Sequence, residues 1–411
     1  MSATTTTSSL SPEMLLDPAV IENPYAFYRQ LVQQAPVWHI PGTDVVLVSS
    51  FGAISEVVHR TDDFSSNLLA LLYRNDDGTP AVQPFDPGIQ TLATADPPRH
   101  ASHRSAVFPE LVARRMAELR GDIEDLAAQH LSVALRDEQV EAMSAIANPV
   151  PIRVVSKLIG FQDEDPDELL HAAFTSTAML AATGPLEHQL AAMEQSIGVM
   201  GWIAEQLDAA INGGRAEGIL SVIAAAVHDG ELDAGEGFAI MATLLSAGGE
   251  STTSLLGNAL HVLATRPDLQ GHLRAHPAEL TPFIEEMLRL ESPFRYHLRH
   301  ATAATQLQGV EIPAGAAVLL LWGAANRDPS EYDRPDEIVL DRPAPRHHLG
   351  FGRGIHLCVG APLARLEAAV ILTQVLQRTS HLELDPADTP LREHSLVVRR
   401  FERLPLRVKP A

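Results

Sequence analysis

The sequence predicts a mostly α-helical protein of the α+β class, with small sheets near both ends of the chain. From about residue 98 to residue 293, apolar residues recur at helical spacing. Strand-like runs are confined to residues 37–50, 307–322 and 381–408, and they do not alternate with helices as in a parallel α/β fold. A chain of 411 residues can bury a large core without a disulfide or metal, so we expect one large domain.

Charge and composition exclude several classes of partner. Lys plus Arg number 30 and Asp plus Glu number 52, and the resulting net charge of −22 repels nucleic acid and anionic membranes. The single cysteine, Cys358, permits no internal disulfide, which fits a reducing compartment. Residues 1–11 lack a signal-peptide pattern and read as a flexible tail before one domain over residues 12–411. No run of about 18 apolar residues occurs, so we expect a cytoplasmic protein without a membrane span.

The elements can be assigned in order along the chain. Residues 37–50 carry two β-rich runs around Pro41-Gly42, which predicts a hairpin. Residues 66–95 are rich in Asn, Asp, Gly and Pro and lack periodicity, so we predict a long irregular loop. After the helical region, Pro313-Ala-Gly315 marks a turn between strands, and a further helix is expected from about Pro362 to Thr379. Breaks between the earlier helices are predicted near residues 163–166, 184–185, 213–214 and 230.

Residues 234–265 predict a helix of about 30 residues that ends before Pro267. The segment is apolar nearly all round and should be buried, yet its centre reads Gly248-Gly249-Glu250-Ser251-Thr252. An interior glycine costs about 1 kcal/mol relative to alanine, and a buried carboxylate costs more unless it is paired. Two explanations remain open. The glycines allow close helix packing, or a large flat group lies against them with chemistry beside it.

The strongest pattern surrounds the cysteine, in the segment Phe351–Gly360 that reads FGRGIHLCVG. A lone cysteine is most often a small buried apolar residue. Here three glycines allow tight turns around one sulfur, and a helix begins just after it. The positive end of that helix is expected to lower the thiol pKa, so that Cys358 is a thiolate. One soft anionic ligand suits neither a zinc nor an iron–sulfur site, but it suits the fifth ligand of a haem iron.

This loop, with the following APLARLE at residues 361–367, resembles the haem-binding loop of the cytochrome P-450 family. The resemblance extends over nearly the whole chain and implies the fold of that family, with a long central helix and small peripheral sheets. It also implies a haem b whose iron is ligated by Cys358. Further motifs of bacterial members occur in the family's order: Asp96-Pro-Pro-Arg-His100, Ala247-Gly-Gly-Glu-Ser-Thr252, Glu286-Met-Leu-Arg289, Pro313-Ala-Gly315 and Ala325-Asn-Arg-Asp-Pro329.

The resemblance also assigns residues to the cofactor and to its support. It implies that the haem carboxylates meet His100, Arg104, Arg299 and His356. Phe351 is expected beside the thiolate. The resemblance implies a buried triad that stabilises the fold and retains haem: Glu286, Arg289 and Arg342. The remaining residues expected to contact the haem are Ala247, Gly248 and Gly360.

Glu250 and Ser251 align with the acid–alcohol pair of the family. A helix hydroxyl can bond a carbonyl one turn back and hold a water, and a carboxylate beside it can relay protons to bound dioxygen. The family usually has Thr where this chain has Ser251. Thr252 follows directly, about 100° further round the helix, and is the other candidate. We favour Ser251.

The resemblance implies a haem-thiolate monooxygenase that inserts one oxygen atom of O2 into a hydrophobic organic substrate. Its pocket is expected to draw on residues 66–95, 175–200, 294–298 and 397–398 and on Leu244 and Ala247. Tyr296, His297 and Arg399, in or next to these stretches, can anchor a polar group. No flavin or iron–sulfur module is recognisable, so a ferredoxin and a ferredoxin reductase are expected to supply electrons. Candidate docking cations are Arg114, Arg115, Arg346, Arg353 and Arg365.

Two alternatives to this activity remain. Since Ser251 replaces Thr, the enzyme can prefer peroxide or couple radicals without inserting oxygen. The second alternative is a haem-based gas sensor that catalyses no reaction. The sequence names neither the substrate nor the oligomeric state.

Overall fold

The computed structural model describes residues 10–161 and 165–411, with the side chains of residues 113–115 and 117 outside the description. Helices dominate this part of the chain. They are α1 Pro18–Glu22, α2 Tyr25–Gln34, α3 Phe51–Val57, α4 Arg99–Val107, α5 Ala113–Ala134, α6 Pro149–Ile159, α7 Pro166–Ala178, α8 Leu186–Gln195, α9 Ile197–Ile211, α10 Gly218–His228, α11 Ala234–Thr265, α12 Pro267–Ala275, α13 Leu280–Leu290, α14 Trp322–Ala325 and α15 Ala361–Arg378.

The strands are short and lie at the periphery. They are β1 Val37–His39, β2 Val45–Val48, β3 Phe64–Ser65, β4 Ala70–Arg74, β5 Pro80–Pro84, β6 Gln139–Glu141, β7 His297–Ala301, β8 Thr305–Leu307, β9 Val310–Ile312, β10 Ala317–Leu320, β11 Thr379–Leu384, β12 Leu391–Arg392, β13 Phe401–Arg403 and β14 Pro405–Pro410. The largest sheet has the order β1-β2-β10-β7-β3, and only its β2–β10 pair is parallel. A second sheet has the order β11-β14-β6, and three two-stranded hairpins complete the set. The predicted α+β class with mostly helical content is confirmed.

Helix α11 is the central element of the fold, and its predicted extent is confirmed. Asp233 caps its first turn in a reciprocal pair with Glu236, and Pro267 begins the next helix two residues after its end. The helix packs against α6, α7, α9 and α15, so most of its residues after Gly249 are buried. It therefore presents one stretch, around residues 243–252, to the interior space next to α15.

The loop predicted over residues 66–95 is wrong in part, because it contains the antiparallel hairpin β4–β5. Its turn is built on Asp77 and Gly78, whose φ of +88° is one that glycine adopts readily. Gln189 of α8 donates from its side-chain amide to the carbonyl of Leu72 at 2.7 Å. Tertiary contacts of this kind stabilise two strands that lack an alternating pattern. The strand β6 was also missed in the region predicted to be helical.

The hairpin predicted over residues 37–50 is confirmed as β1–β2. Residues 1–9 of the predicted flexible tail lie outside the described residues. Leu10 packs against apolar core residues, and Ser11 begins the 3-10 turn Pro12–Leu16. Among the described helices, none combines the length and the apolar character that crossing a membrane requires.

Candidate functional site

A cavity lies between α11 on one side and the cysteine loop with α15 on the other. The centre of a water molecule can move through about 220 Å³ of it, and the surface around it is mostly apolar. The cavity brings together all but one of the residues assigned to haem and oxygen chemistry, the exception being Glu250. Those that line it are His100, Arg104, Ala247, Gly248, Ser251, Thr252, Arg299, Phe351, His356, Cys358 and Gly360.

The cysteine loop is shaped by its own backbone. Gly352 and Gly354 have φ angles of +66° and +73°, and a Cβ on Gly354 would lie 2.8 Å from the carbonyl oxygen of Val58. The amide of Cys358 donates to the carbonyl of Phe351 at 2.9 Å, which closes the loop. The side chain of Cys358 is open to the cavity although protein surrounds it. The sulfur is therefore accessible to a group bound in the cavity.

The thiol pKa, which the sequence predicts to be low, is instead raised in the structure. Burial raises the pKa of Cys358, and this effect exceeds the opposite effect of the amides of Gly360 and Ala361, which bond to the sulfur. Arg104 and Arg365 act in the same direction as the amides. The helix-end amides predicted from the sequence are present, but the apolar surroundings outweigh them.

The four residues assigned to the haem carboxylates lie on one wall of the cavity, where burial lowers the pKa of both histidines and leaves Arg104 and Arg299 as the cations. Arg299 is buried, and among the described residues no carboxylate pairs with it; its Nη1 donates only to the carbonyl of Leu298 at 2.7 Å. Burial lowers the pKa of Arg299 to about 10. The rings of His100 and His356 lie 4.3 Å apart, and the buried Nδ1 of His356 has no hydrogen-bond partner. Among the described residues Arg299 forms no ion pair, although the charge of Asp96 acts on it at longer range, and the ring nitrogen of His356 has no partner there. Both features fit an anionic group, so the wall fits the carboxylates of haem.

The hydroxyl of Ser251 donates to the carbonyl of Ala247 one turn back, at 2.7 Å. Thr252 also lines the cavity, on the side of α15, where its side chain interacts with the carboxyl group of Glu367. A Cβ on Gly248 would lie 2.7 Å from a methyl carbon of Val155 in α6. Of the two explanations for the glycines, close helix packing is therefore present here, and the same turn also lines the cavity.

Glu250 points away from the cavity. It is 1% exposed, and its two oxygens accept hydrogen bonds from the Thr177 hydroxyl and from Arg400 Nε, the latter at 3.0 Å. Burial raises the pKa of Glu250 to about 7, against the lowering effects of Arg400 and Thr177. The acid and the alcohol are adjacent in sequence but lie on different sides of α11. Sequence analysis missed both partners, because they come from α7 and from the segment before β13.

The triad predicted around Glu286 is present and buried. Arg289 donates from Nε and Nη2 to the two oxygens of Glu286, each at 2.8 Å, and both side chains are 1% exposed. Arg342 Nε donates to Glu286 at 2.9 Å, and the amide of Val339 donates at 2.9 Å. The remaining N–H groups of Arg289 donate to the carbonyls of Asn326, Pro335 and Glu337. The triad therefore ties α13 to the segment that leads to the cysteine loop.

Two further residues lie at the cavity, one a polar anchor predicted from the sequence and the other without a role assigned from the sequence. His297 lines it, and its Nδ1 accepts from the indole N–H of Trp322 at 2.6 Å. Burial lowers the pKa of His297 to about 4, so the neutral ring carries its proton on Nε2. Glu367 also lines the cavity, and burial raises its pKa to about 8. Tyr296 and Arg399, the other proposed anchors, instead bond to Leu180 and Glu291.

The predicted docking cations are not equivalent. Arg353 lies over the ring of Phe51, with 5.5 Å between the guanidinium carbon and the ring centre. Arg365 forms a short ion pair with the buried Glu285 at 2.7 Å, and the exposed Arg346 lies 3.6 Å from the same carboxylate. The side chains of Arg114 and Arg115 lie outside the described residues.

Comparisons with known proteins identify the family. The profile described as cytochrome P-450 matches residues 188–404. Cytochrome P-450 144 of Mycobacterium tuberculosis is 41% identical over 392 residues, which cover 95% of this chain and 90% of that protein. The beta-dihydromenaquinone-9 omega-hydroxylase of the same species is 30% identical over 406 residues, covering 96% and 78%.

Solved structures agree with these matches. CYP109Q5 from Chondromyces apiculatus has a TM-score of 0.81 at 29% identity, covering 97% of this chain and 98% of that one. CYP109E1 from Bacillus megaterium, in complex with testosterone, has a TM-score of 0.83 at 25% identity, covering 95% and 99%. The resemblance seen in the sequence is confirmed: the chain belongs to the cytochrome P-450 family of haem-thiolate monooxygenases.

Proposed function

We propose that this monooxygenase oxidises a hydrophobic organic substrate with electrons from separate redox proteins, and that residues 12–411 form a single haem domain. One observation carries the proposal. The side chain of Cys358 and the hydroxyl of Ser251 line the same cavity from opposite elements, the loop before α15 and the centre of α11. Cys358 would ligate the iron of a haem bound in this cavity, and Ser251 would supply a hydroxyl that handles protons.

Residues of the cavity wall would hold the cofactor. Cys358 would ligate the iron, and His100, Arg104, Arg299 and His356 would bind the haem carboxylates. Arg104 now donates to the carbonyl of Leu357 at 2.8 Å, which keeps its guanidinium beside the cysteine loop. Phe351, Ala247, Gly248 and Gly360 also line the cavity and would contact the haem. When bound, haem supplies the iron at which dioxygen is activated.

The protein's own contribution is proton delivery. Ser251 holds a hydroxyl at the cavity wall, and its bond to the carbonyl of Ala247 can open to donate toward a water or an oxygen atom in the cavity. Glu250 can carry a proton near neutral pH, because burial raises its pKa to about 7. Thr252 lines the same cavity, but its side chain interacts with the carboxyl group of Glu367, so we assign the alcohol role to Ser251.

The substrate side of the cavity is apolar with one oriented polar group. Apolar lining includes Leu92, Leu244 and Phe294, and His297 adds an Nε2–H donor whose orientation Trp322 fixes. A substrate with a large apolar body and one acceptor oxygen matches this surface. Relatives support the class, since one is named for the hydroxylation of a dihydromenaquinone and a solved neighbour holds testosterone.

We place the docking surface for the electron donor around the cysteine loop. Phe108 and Ile355 are 47% and 38% exposed, and Arg104 lies over the ring of Phe108 at 5.8 Å. Leu357 and Arg353 extend this patch. On a protein of net charge −22, an apolar patch with local arginines fits an acidic partner such as a ferredoxin, which its reductase would reload. Arg353→Glu is expected to slow electron transfer from the ferredoxin to the enzyme and to weaken the salt dependence of that rate. Arg215→Glu, at an exposed site away from the cysteine loop, should change neither the rate nor its salt dependence.

The experiment that tests the proposal is a screen of apolar ligands by the low- to high-spin shift of the haem absorption, followed by turnover under isotope-labelled O2. Labelled product with electron consumption supports the proposal. Unlabelled coupled product favours the radical-coupling alternative. Ligand binding that never elicits electron consumption contradicts enzymatic function and favours a sensor.

A further inference from the structure

A row of charged side chains leads from buried Glu250 to the surface. Arg400 donates from Nε to Glu250 at 3.0 Å and from Nη2 to Glu393 at 2.7 Å. The side chain of Glu393 is 25% exposed, and the exposed Glu402 lies near enough for the two carboxyl groups to interact. A proton held between two neighbouring carboxyl groups removes their mutual repulsion. The outer end of the row is therefore a carboxyl pair in contact with water.

Arg400 is held rigidly between the two ends. Its guanidinium carbon lies 4.0 Å from the ring centre of Phe174, and the amide of Glu393 donates to the carbonyl of Arg400 at 3.0 Å. Nε and Nη2 are neighbouring donors of one planar guanidinium. Arg400 therefore holds Glu250 and Glu393 on adjacent nitrogen atoms. Thr177 holds the other oxygen of Glu250 from α7.

The charge of Arg400 does not balance those of Glu250, Glu393 and Glu402 when all three carboxyl groups are ionised. One guanidinium then faces three carboxylates, and the innermost of them is shielded from water. Holding a proton within the group relieves this repulsion. Burial, and then the nearby charge of Glu393, raise the pKa of both Glu250 and Glu402, while Arg400 lowers both. A proton can therefore reside at either end of the row.

We propose that Glu393 and Glu402 form the solvent end of the proton supply to Glu250, and that Arg400 is the positioning residue that holds Glu393 beside it. In each transfer a proton leaves the Glu393–Glu402 pair and binds the carboxylate of Glu250. The pair then takes a replacement proton from water, and Arg400 keeps its own protons. The inference rests on the proposed function only in that Glu250 passes its proton on toward the cavity.

The first test is an infrared titration of the Glu250 carboxyl group in the resting holoenzyme, with Glu250→Gln used to identify its band. Glu393→Gln should lower the midpoint pH of the Glu250 titration by about one unit, because a neighbouring negative charge is removed. Arg400→Gln should raise the midpoint, and Arg400→Lys should fall between it and the parent. Glu383→Gln, at an exposed glutamate of β11 outside the row, should leave it unchanged.

The second test measures oxygenated product per electron pair and its solvent isotope effect. Glu393→Gln, and separately Glu402→Gln at the exposed end, should lower the product-forming rate about tenfold. The Glu250→Gln/Glu393→Gln double variant should be no slower than the slower single variant, because both residues serve one route. The inference would be overturned by an unchanged infrared midpoint of Glu250 in Glu393→Gln. It would also be overturned if the product-forming rate of the double variant fell by the product of the two single-variant factors.

These results separate the inference from the proposed function. A parent enzyme that makes no oxygenated product contradicts the proposed function, while the infrared midpoints still decide whether the three carboxyl groups and Arg400 act together. A purely structural role for Arg400 predicts a lower melting temperature in Arg400→Gln with an unchanged midpoint, and that outcome would also overturn the inference.

Discussion

Replacing Arg289 by methionine tests whether the buried triad stabilises the fold around the cysteine loop. The change removes a guanidinium whose five N–H groups all have acceptors, two on Glu286 and three on main-chain carbonyls. Methionine fills similar space, so the main effect is electrostatic. Glu286 is 1% exposed and would keep, among the described residues, Arg342 as its one cationic partner.

The structure sets the size of the effect. Removing one partner of a buried ion pair costs about 3–5 kcal/mol, which lowers the folding equilibrium constant by roughly a hundredfold to a few thousandfold. Urea unfolding followed by circular dichroism and by haem absorbance measures it, and haem should be lost before the helices unfold. The matched control is Arg266→Met, which breaks an exposed pair with Asp268 and should cost at most about 0.5 kcal/mol. A cost below about 1 kcal/mol for Arg289→Met, with haem retained, would refute the reasoning.

Three other residues give predictions of different kinds. Ser251→Ala should lower product per electron pair about tenfold or more while Thr252→Ala changes it little, and the reverse order would show that Thr252 is the alcohol. Burial raises the pKa of Glu367 from 4.5 to about 8, so its protonated form stabilises the fold at low pH. The free energy of unfolding should therefore fall as pH rises between these values, and a slope that is unchanged in Glu367→Gln contradicts this. Arg299→Gln removes about 1.5–3 kcal/mol of charge-assisted bonding to haem, so haem transfer to apomyoglobin should accelerate by roughly tenfold to a hundredfold; an unchanged transfer rate argues against this contact.

Much of the fold could be predicted because the relevant signals are local. The span of α11 follows from helical apolar spacing, an Asp233 cap and a Pro267 stop, all within one stretch of sequence. The β4–β5 hairpin could not be predicted in this way. Its strands lack alternation, and they are stabilised partly by contacts with α8 and Gly184, which are more than a hundred residues away in the sequence.

The difference between local signals and long-range contacts also decides which parts of the site could be predicted. The cysteine loop and the Glu286–Arg289 pair could be predicted because their spacing is fixed within one segment. The pKa of Cys358 was mispredicted, because its apolar surroundings come from several elements and outweigh the nearby amides. The partners of Glu250 were missed for a similar reason, since Arg400 lies 150 residues further along the chain. Burial and long-range pairing are properties of the assembled fold.

The central claim is that the sulfur of Cys358 bonds the haem iron. The absorption spectrum of the ferrous carbonyl complex tests it most directly, measured on the purified holoenzyme beside a Cys358→His variant. We expect a thiolate-type band for the parent and a histidine-type band for the variant. A histidine-type band in the parent, or a parent that stays colourless after ample haem supply, would contradict the claim.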